Sequence, residues 1–181
     1  MKLNFAKRMS YIKASEIREI LKVTEQEDVI SFAGGLPAPE LFPIDEINEI
    51  NQNVLKEAGT KALQYTTTEG YAPLREWIAN RMNERLGTAF DKDNILITHG
   101  SQQGLDLSGK VFLDQGDIVL CESPTYLAAI SAFKAYGCSF IEIPTDEDGM
   151  MMDVLEEILS NTPHIKPVSY THLRAHETRR H

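Results

Sequence analysis

The stretch of this chain best suited to chemistry is residues 94–104, NILITHGSQQG. Ile95, Leu96, Ile97 and Thr98 read as a buried strand. Gly100, Ser101, Gln102, Gln103 and Gly104 follow, and LDLSGKVFLDQ then has the character of a helix. A strand that ends in a tight turn of small residues and opens a helix can bind a phosphate. The first turn of a helix has N–H groups without intrahelical acceptors and carries the positive end of the macrodipole. Glycine at position 100 lets the backbone approach an anion closely, and the Ser101 hydroxyl and Gln102 amide add donors. An ordinary strand–turn–helix connection has the same residue pattern, and this stretch alone does not separate the two. The motif is neither G-x-G-x-x-G nor a P-loop with Gly-Lys-Ser/Thr, which disfavours a dinucleotide or a nucleoside triphosphate.

Other reactive side chains point to less. Cys121 and Cys138 lie in or beside expected strands without C-x-x-C spacing, and read as buried free thiols of a cytoplasmic protein. His172 and His176 stand four apart, but no cysteine or third fixed ligand accompanies them, so no metal is expected. The 27 acidic residues outnumber 18 basic ones, giving a net charge of -9 that repels a phosphate backbone and argues against nucleic acid. No apolar run reaches the roughly 18 residues of a membrane helix, so no membrane partner is expected. The N-terminus lacks a signal-peptide core.

The elements that must position the turn follow from periodicity. Residues 15–23 carry Ile17, Ile20 and Leu21 at helical spacing after Ser15 as cap. Residues 29–32 look extended, and Gly34, Gly35, Pro37, Pro39 and Pro43 then make a shaped loop. Asp45 is expected to cap a helix to about Ala58, with Ile47, Ile50, Val54 and Leu55 on one face. Another helix follows the turn after Tyr65, with Pro73 in its first turn and Leu74, Trp77, Ile78 and Met82 as a core-facing stripe. After the Ile95 strand and its helix come the strand DIVLCE, a helix within SPTYLAAISAFKAYG, the strand CSFIEIP and a helix in DEDGMMMDVLEEIL. This alternation specifies βαβ crossovers and a mainly parallel α/β sheet. About three such strands are expected, fewer than a sheet covered on both faces requires.

The pattern is coherent to about Pro167, and a further strand is expected after TPHIKP. Residues 168–181, VSYTHLRAHETRRH, instead hold three of the five histidines and three arginines with no apolar period. The string resembles read-through of sequencing-adapter DNA and reads as a foreign or disordered tail, outside functional reasoning.

Four segments in order carry a resemblance: ISFAGGLPAPELFP (residues 30–43), LQYTTTEGYAPLRE (63–76), ILITHGSQQGLDL (95–107) and ESPTYLAAI (122–130). PTDEDGM (144–150) adds a weaker one. Together they resemble the fold-type-I, pyridoxal-phosphate-dependent aminotransferases of class I/II, in the α-aminoadipate/aromatic branch related to MocR-type regulators. The resemblance spans about residues 6–167. It implies the aspartate aminotransferase-like α/β fold, with a three-layer, mainly parallel sheet of which this chain holds the N-terminal part. Residues 1–44 would form the N-terminal helix and substrate-side loop, and 45–167 the first part of the large cofactor-binding domain.

The resemblance also implies roles. Ser101 and Gln102 donate to the phosphate of pyridoxal 5'-phosphate, and Gly100 allows its close approach. Tyr126 stacks on the cofactor ring, where an aromatic face holds a flat pyridine by offset stacking. Tyr65 reaches the phosphate of the neighbouring subunit, which implies a homodimer with shared sites. Gly34 and Gly35 leave room on the substrate side. Arg18, one turn after Ser15, could take the distal carboxylate of an acidic substrate bidentately, or be a plain surface arginine beside Glu19.

The expected activity is exchange of an amino group between an amino acid and a 2-oxo acid by a ping-pong route. A β-lyase on the same scaffold, and an aminotransferase-like sensor domain of a MocR-type regulator, are the alternatives. The family's Schiff-base lysine, its aspartate for the pyridinium nitrogen and its arginine for the substrate carboxylate are expected beyond Pro167. Lys110, Lys134 and Lys166 do not stand in a Schiff-base context. This chain alone is therefore expected to be an inactive fragment, prone to aggregate through an open sheet edge and uncovered helix faces.

Overall fold

Proline and capping chemistry decide where the helices of residues 21–98 begin. The computed structural model describes residues 4–12, 28–29, 37–162 and 165, and divides the chain into residues 21–98 and residues 1–20 with 99–181. Helix α1 (Ile44–Ala62) starts directly after Pro43, whose φ of -79° and ψ of 66° lie outside the helix. Asp45 is therefore not the cap expected from the sequence. It stands in the first turn with Glu46, where a carboxylate meets the positive end of the helix. The backbone leaves helical values at Ala58 (φ -140°, ψ 21°), the expected end, and one more turn continues to Ala62. Ile47, Ile50, Val54 and Leu55 remain 44–59% exposed.

Helix α2 (Ala72–Leu86) has its proline in the first turn, as Pro73 demanded. Its expected core stripe is met in part: Ile78 and Met82 are half-buried. Leu74 and Trp77 are exposed, while Arg75 and Ala79 on the adjacent face are buried. Arg75 is 7% exposed. Its Nη1 donates to the Lys92 carbonyl at 2.9 Å and stands 3.6 Å from the Asp93 carboxylate. The guanidinium so ties α2 to the 3₁₀ turn Lys92–Asn94, which a reciprocal Asp91–Asn94 capping box closes. Burial beside a charge partner, which hydrophobic periodicity ignores, decides which face turns inward.

Residues 95–98 also depart from the expected buried strand. Ile95 has extended backbone (φ -113°, ψ 128°), but Leu96 is exposed. The Ile97 N–H donates to the Glu69 carbonyl at 3.0 Å. A strand exists through its ladder, and among the described residues none runs beside this one.

The remaining unit follows the expected alternation closely. Helix α3 (Gly100–Phe112) leads to strand β1 (Ile118–Ser123), helix α4 (Leu127–Lys134) and strand β2 (Ser139–Asp146). A short strand β3 (Gly149–Met150) and helix α5 (Met152–Asn161) come next. β1 and β2 pair in parallel, from Ile118↔Ser139 to Ser123↔Pro144. β3 turns back antiparallel on Thr145 and Asp146, a hairpin not foreseen in the turn DEDG. A parallel bridge from Ile118 to Ile165 occupies the other edge of β1, within TPHIKP and so before the point after which a further strand was expected.

Leu105, Leu113, Val119, Ala129, Ala132 and Phe133 form the core between α3, α4 and β1, with Tyr136, Cys138 and Phe140 half-buried around it. The Tyr136 hydroxyl, on the turn after α4, donates to Asp106 of α3. Burial and this carboxylate push the phenol above its ordinary range. The turns following the two helices are also joined, Gly116 N–H to the Gly137 carbonyl at 3.0 Å and Ser139 N–H to the Asp117 carbonyl at 2.9 Å. Both helices thus end where β1 and β2 begin. Their N-termini point toward the carboxyl ends of the strands.

Both cysteines are free thiols, Cys121 buried and Cys138 half-buried. Burial first, and the Glu142 carboxylate second, push the Cys121 thiol above its ordinary 9.0. Burial also hinders attack on the thiol, so Cys121 is expected to alkylate with iodoacetamide at pH 8 more slowly than the half-buried Cys138. Equal rates, read by peptide mass spectrometry, would contradict this placement.

Candidate functional site

The amino end of α3 is an exposed turn whose residues differ sharply in what they offer. His99 precedes the helix with φ -79° and ψ 72°, and its side chain caps none of the first-turn N–H groups. Gly100 opens the helix in the left-handed region, with φ of 78°. A Cβ built there would meet nothing within 4 Å, so the backbone borders open space. Ser101 is half-buried and Gln102 exposed, at the second and third helical positions. A first turn supplies N–H groups and positive potential to this space, and a hydroxyl and an amide stand beside it. That donor set suits a phosphate.

Sequence reasoning missed one participant. The Gln103 side chain turns back, and its Oε1 accepts the His99 backbone N–H at 2.6 Å and lies 3.1 Å from His99 Nδ1. The usual signal is a Glu or Gln three residues after the capping residue. Here the reach comes from four residues on, outside that pattern.

Tyr126 is the residue before α4, and its carbonyl accepts the Ala129 N–H at 3.1 Å. At 42% exposed it presents much of its ring to solvent. With the shared direction of α3 and α4, Gly100, Ser101, Gln102 and Tyr126 stand at the carboxyl end of one sheet. Open α/β sheets bind ligands at that end. Lys110 and Lys134 occupy the last turns of α3 and α4, at the opposite end. Lys134 places its Nζ 6.0 Å from the Phe140 ring centre.

Tyr65 belongs to the other unit, in the turn after α1, and is 99% exposed. Arg18, Gly34, Gly35, Lys166 and the histidine pair of the tail lie outside the described residues. No trio of His, Cys, Asp or Glu suited to a metal occurs among the described residues. No helix among them is long and apolar enough to cross a membrane.

Comparison with known proteins gives the family and the fold. The family described as "Aminotransferase class I and II" matches residues 27–168. Aromatic-amino-acid aminotransferase 1 of Thermococcus litoralis is 53% identical over 155 residues, 86% of this chain and 37% of its own length. Among solved structures, the kynurenine aminotransferase of Pyrococcus horikoshii, in complex with PMP, superposes with a TM-score of 0.78 at 48% identity, covering 86% of this chain and 38% of that one. The α-aminoadipate aminotransferase of Thermus thermophilus, complexed with N-(5'-phosphopyridoxyl)-L-leucine, gives 0.75 at 47% identity, covering 90% and 38%. The fold is thus the aspartate aminotransferase-like one expected from the sequence, present in part. The chain spans under two fifths of the length of these relatives, and it belongs to the class I and II aminotransferase family.

Proposed function

We propose that the protein carrying this chain is a pyridoxal-phosphate-dependent aminotransferase, exchanging an amino group between an amino acid and a 2-oxo acid. The observation that carries the reading is the amino end of α3, where Gly100 borders open space and Ser101 and Gln102 occupy the next two helical positions. A phosphate fits this turn in both room and charge. When bound, the cofactor supplies an electron sink for chemistry at the amino acid's α-carbon.

The residues of this chain bind and orient. Ser101 and Gln102 hold the phosphate by charge-assisted hydrogen bonds, in addition to first-turn N–H groups. Tyr126 keeps the cofactor ring flat against its exposed aromatic face. Gly34 and Gly35 leave space for the substrate, and Arg18 takes a distal carboxylate where the substrate has one. Tyr65, almost wholly exposed in its own chain, serves the phosphate site of a second copy, so the working assembly is a homodimer. The two free thiols agree with a reducing, cytoplasmic setting.

The test is a titration of the full-length protein with pyridoxal 5'-phosphate and with pyridoxal, followed by absorbance, together with an amino-transfer assay. Ser101→Ala is expected to weaken the phosphate form about tenfold and leave pyridoxal unchanged, the effect of one lost hydrogen bond to a charged group. Absence of cofactor absorbance, or of transfer from any amino acid to any 2-oxo acid, would sink the reading.

A further inference from the structure

Gln103 lies one turn into α3, yet its side chain serves the residue before the helix. Its Oε1 takes both the His99 backbone N–H, at 2.6 Å, and a contact with His99 Nδ1, at 3.1 Å. A carbonyl oxygen only accepts, so Nδ1 carries the proton in this contact. In the neutral ring Nε2 is then the acceptor nitrogen.

The geometry has two effects on the turn between them. Capping residues usually consume first-turn N–H groups with their own side chains, and the His99 side chain does not. The donors that face the open space beside Gly100 are therefore not consumed by that side chain. Second, Gly100 has the widest conformational freedom of any residue type, and a bond spanning positions 99 to 103 restrains the backbone on either side of it.

We propose that Gln103 is a positioning residue. By holding the backbone and imidazole of His99 it fixes the Gly100 turn, so that Ser101 and Gln102 present their donors to the cofactor phosphate. This rests on the reading of the turn as the phosphate site. Gln103 itself need not touch the cofactor.

The experiment uses the full-length protein labelled with ¹⁵N-histidine, and two variants. Gln103→Met keeps length and helix propensity but removes the acceptor. Gln103→Glu keeps an acceptor and adds a charge that the helix start tolerates. The first readout is the ratio of dissociation constants for pyridoxal and pyridoxal 5'-phosphate. The second is the His99 tautomer, from its imidazole nitrogen shifts.

In the wild type His99 is expected in the Nδ1–H form, with strong preference for the phosphorylated ligand. Gln103→Met is expected to lower that preference about fivefold, the effect of a lost cap, to leave pyridoxal affinity unchanged, and to release His99 from the Nδ1–H form. Gln103→Glu is expected to retain the Nδ1–H signature. A Gln103→Met protein with unchanged preference and tautomer overturns the proposal. So does a wild-type His99 in the Nε2–H form, a result that stands even where Gln103→Met fails to fold. A wild type that binds both ligands equally overturns the phosphate reading itself. One that discriminates, alongside a Gln103→Met with an equal preference, overturns only the role of Gln103.

Discussion

Replacing Gly109 with valine is expected to destabilise the fold by about 3 kcal/mol, the upper range for overpacking a close helix contact. Gly109 sits where α3 crosses the end of α4. A Cβ there would lie 2.7 Å from Cε2 and 2.8 Å from Cδ2 of Tyr136, and 3.2 Å from Cδ1 of Phe133. Neither ring can give way easily. Phe133 is 1% exposed in the centre of the core. Tyr136 is held by its hydroxyl, 3.0 Å from both the carbonyl and a carboxylate oxygen of Asp106. Swinging the ring aside would break that bond and uncover Leu105 and Phe133. Valine regains only a few tenths of a kcal/mol in helix propensity over glycine, too little to offset the clash. Alanine, with one methyl and the best propensity, is expected to cost roughly 1 kcal/mol. Urea unfolding of the full-length protein measures both. A valine variant within about 0.5 kcal/mol of wild type would show that the two helices do not approach as described.

At Gly100 the same substitution is expected to act through the opposite cause. No atom lies within 4 Å of its would-be Cβ, so contact costs nothing. The backbone φ of 78° is the difficulty, because a β-branched residue in the left-handed region is strained by roughly 1–3 kcal/mol. The turn would relieve that strain by rotating, and the donors of Ser101 and Gln102 would move with it. Valine's methyls would also stand in the space assigned to the phosphate. Gly100→Val is therefore expected to weaken pyridoxal 5'-phosphate binding about 100-fold. Global stability should fall much less, since the turn is exposed. The contrast with pyridoxal, which lacks the phosphate, separates this from general damage. Unchanged affinity for the phosphorylated ligand would remove Gly100 from the site. The two glycines thus answer different demands: one is required by a neighbour's proximity, the other by a dihedral angle.

The legible parts of the fold are those governed by local periodicity. β1, β2 and the helices between and after them follow from short apolar runs punctuated by Gly116, Gly137 and Pro124. Their parallel pairing follows from the helix that must cross between them. Boundaries are less legible where two signals compete, as at Pro43 and Asp45. Pro43 itself takes the capping position, the helix starts at Ile44, and Asp45 falls inside the first turn.

The stripe of α2 and the segment 95–98 misread for a different reason. Both depend on what lies alongside them. Apolar spacing specifies a face of Leu74 and Trp77, but it cannot weigh that face against a guanidinium that finds the Lys92 carbonyl and Asp93. Ile95, Leu96 and Ile97 have strand propensity, yet a ladder needs a neighbour that no local pattern supplies.

By itself, the sequence determined the class of architecture, most of the order of elements and the family, and it singled out the turn at Gly100, Ser101 and Gln102 as the candidate place for a phosphate. These rest on residue types and spacings that act over a few positions. Only the tertiary structure decided that the α3 and α4 amino ends share one end of a sheet, that Gly109 is a contact glycine, and that Gln103 holds His99. Those depend on distances between atoms remote in sequence, or on which way a side chain turns, and neither is encoded in any local pattern.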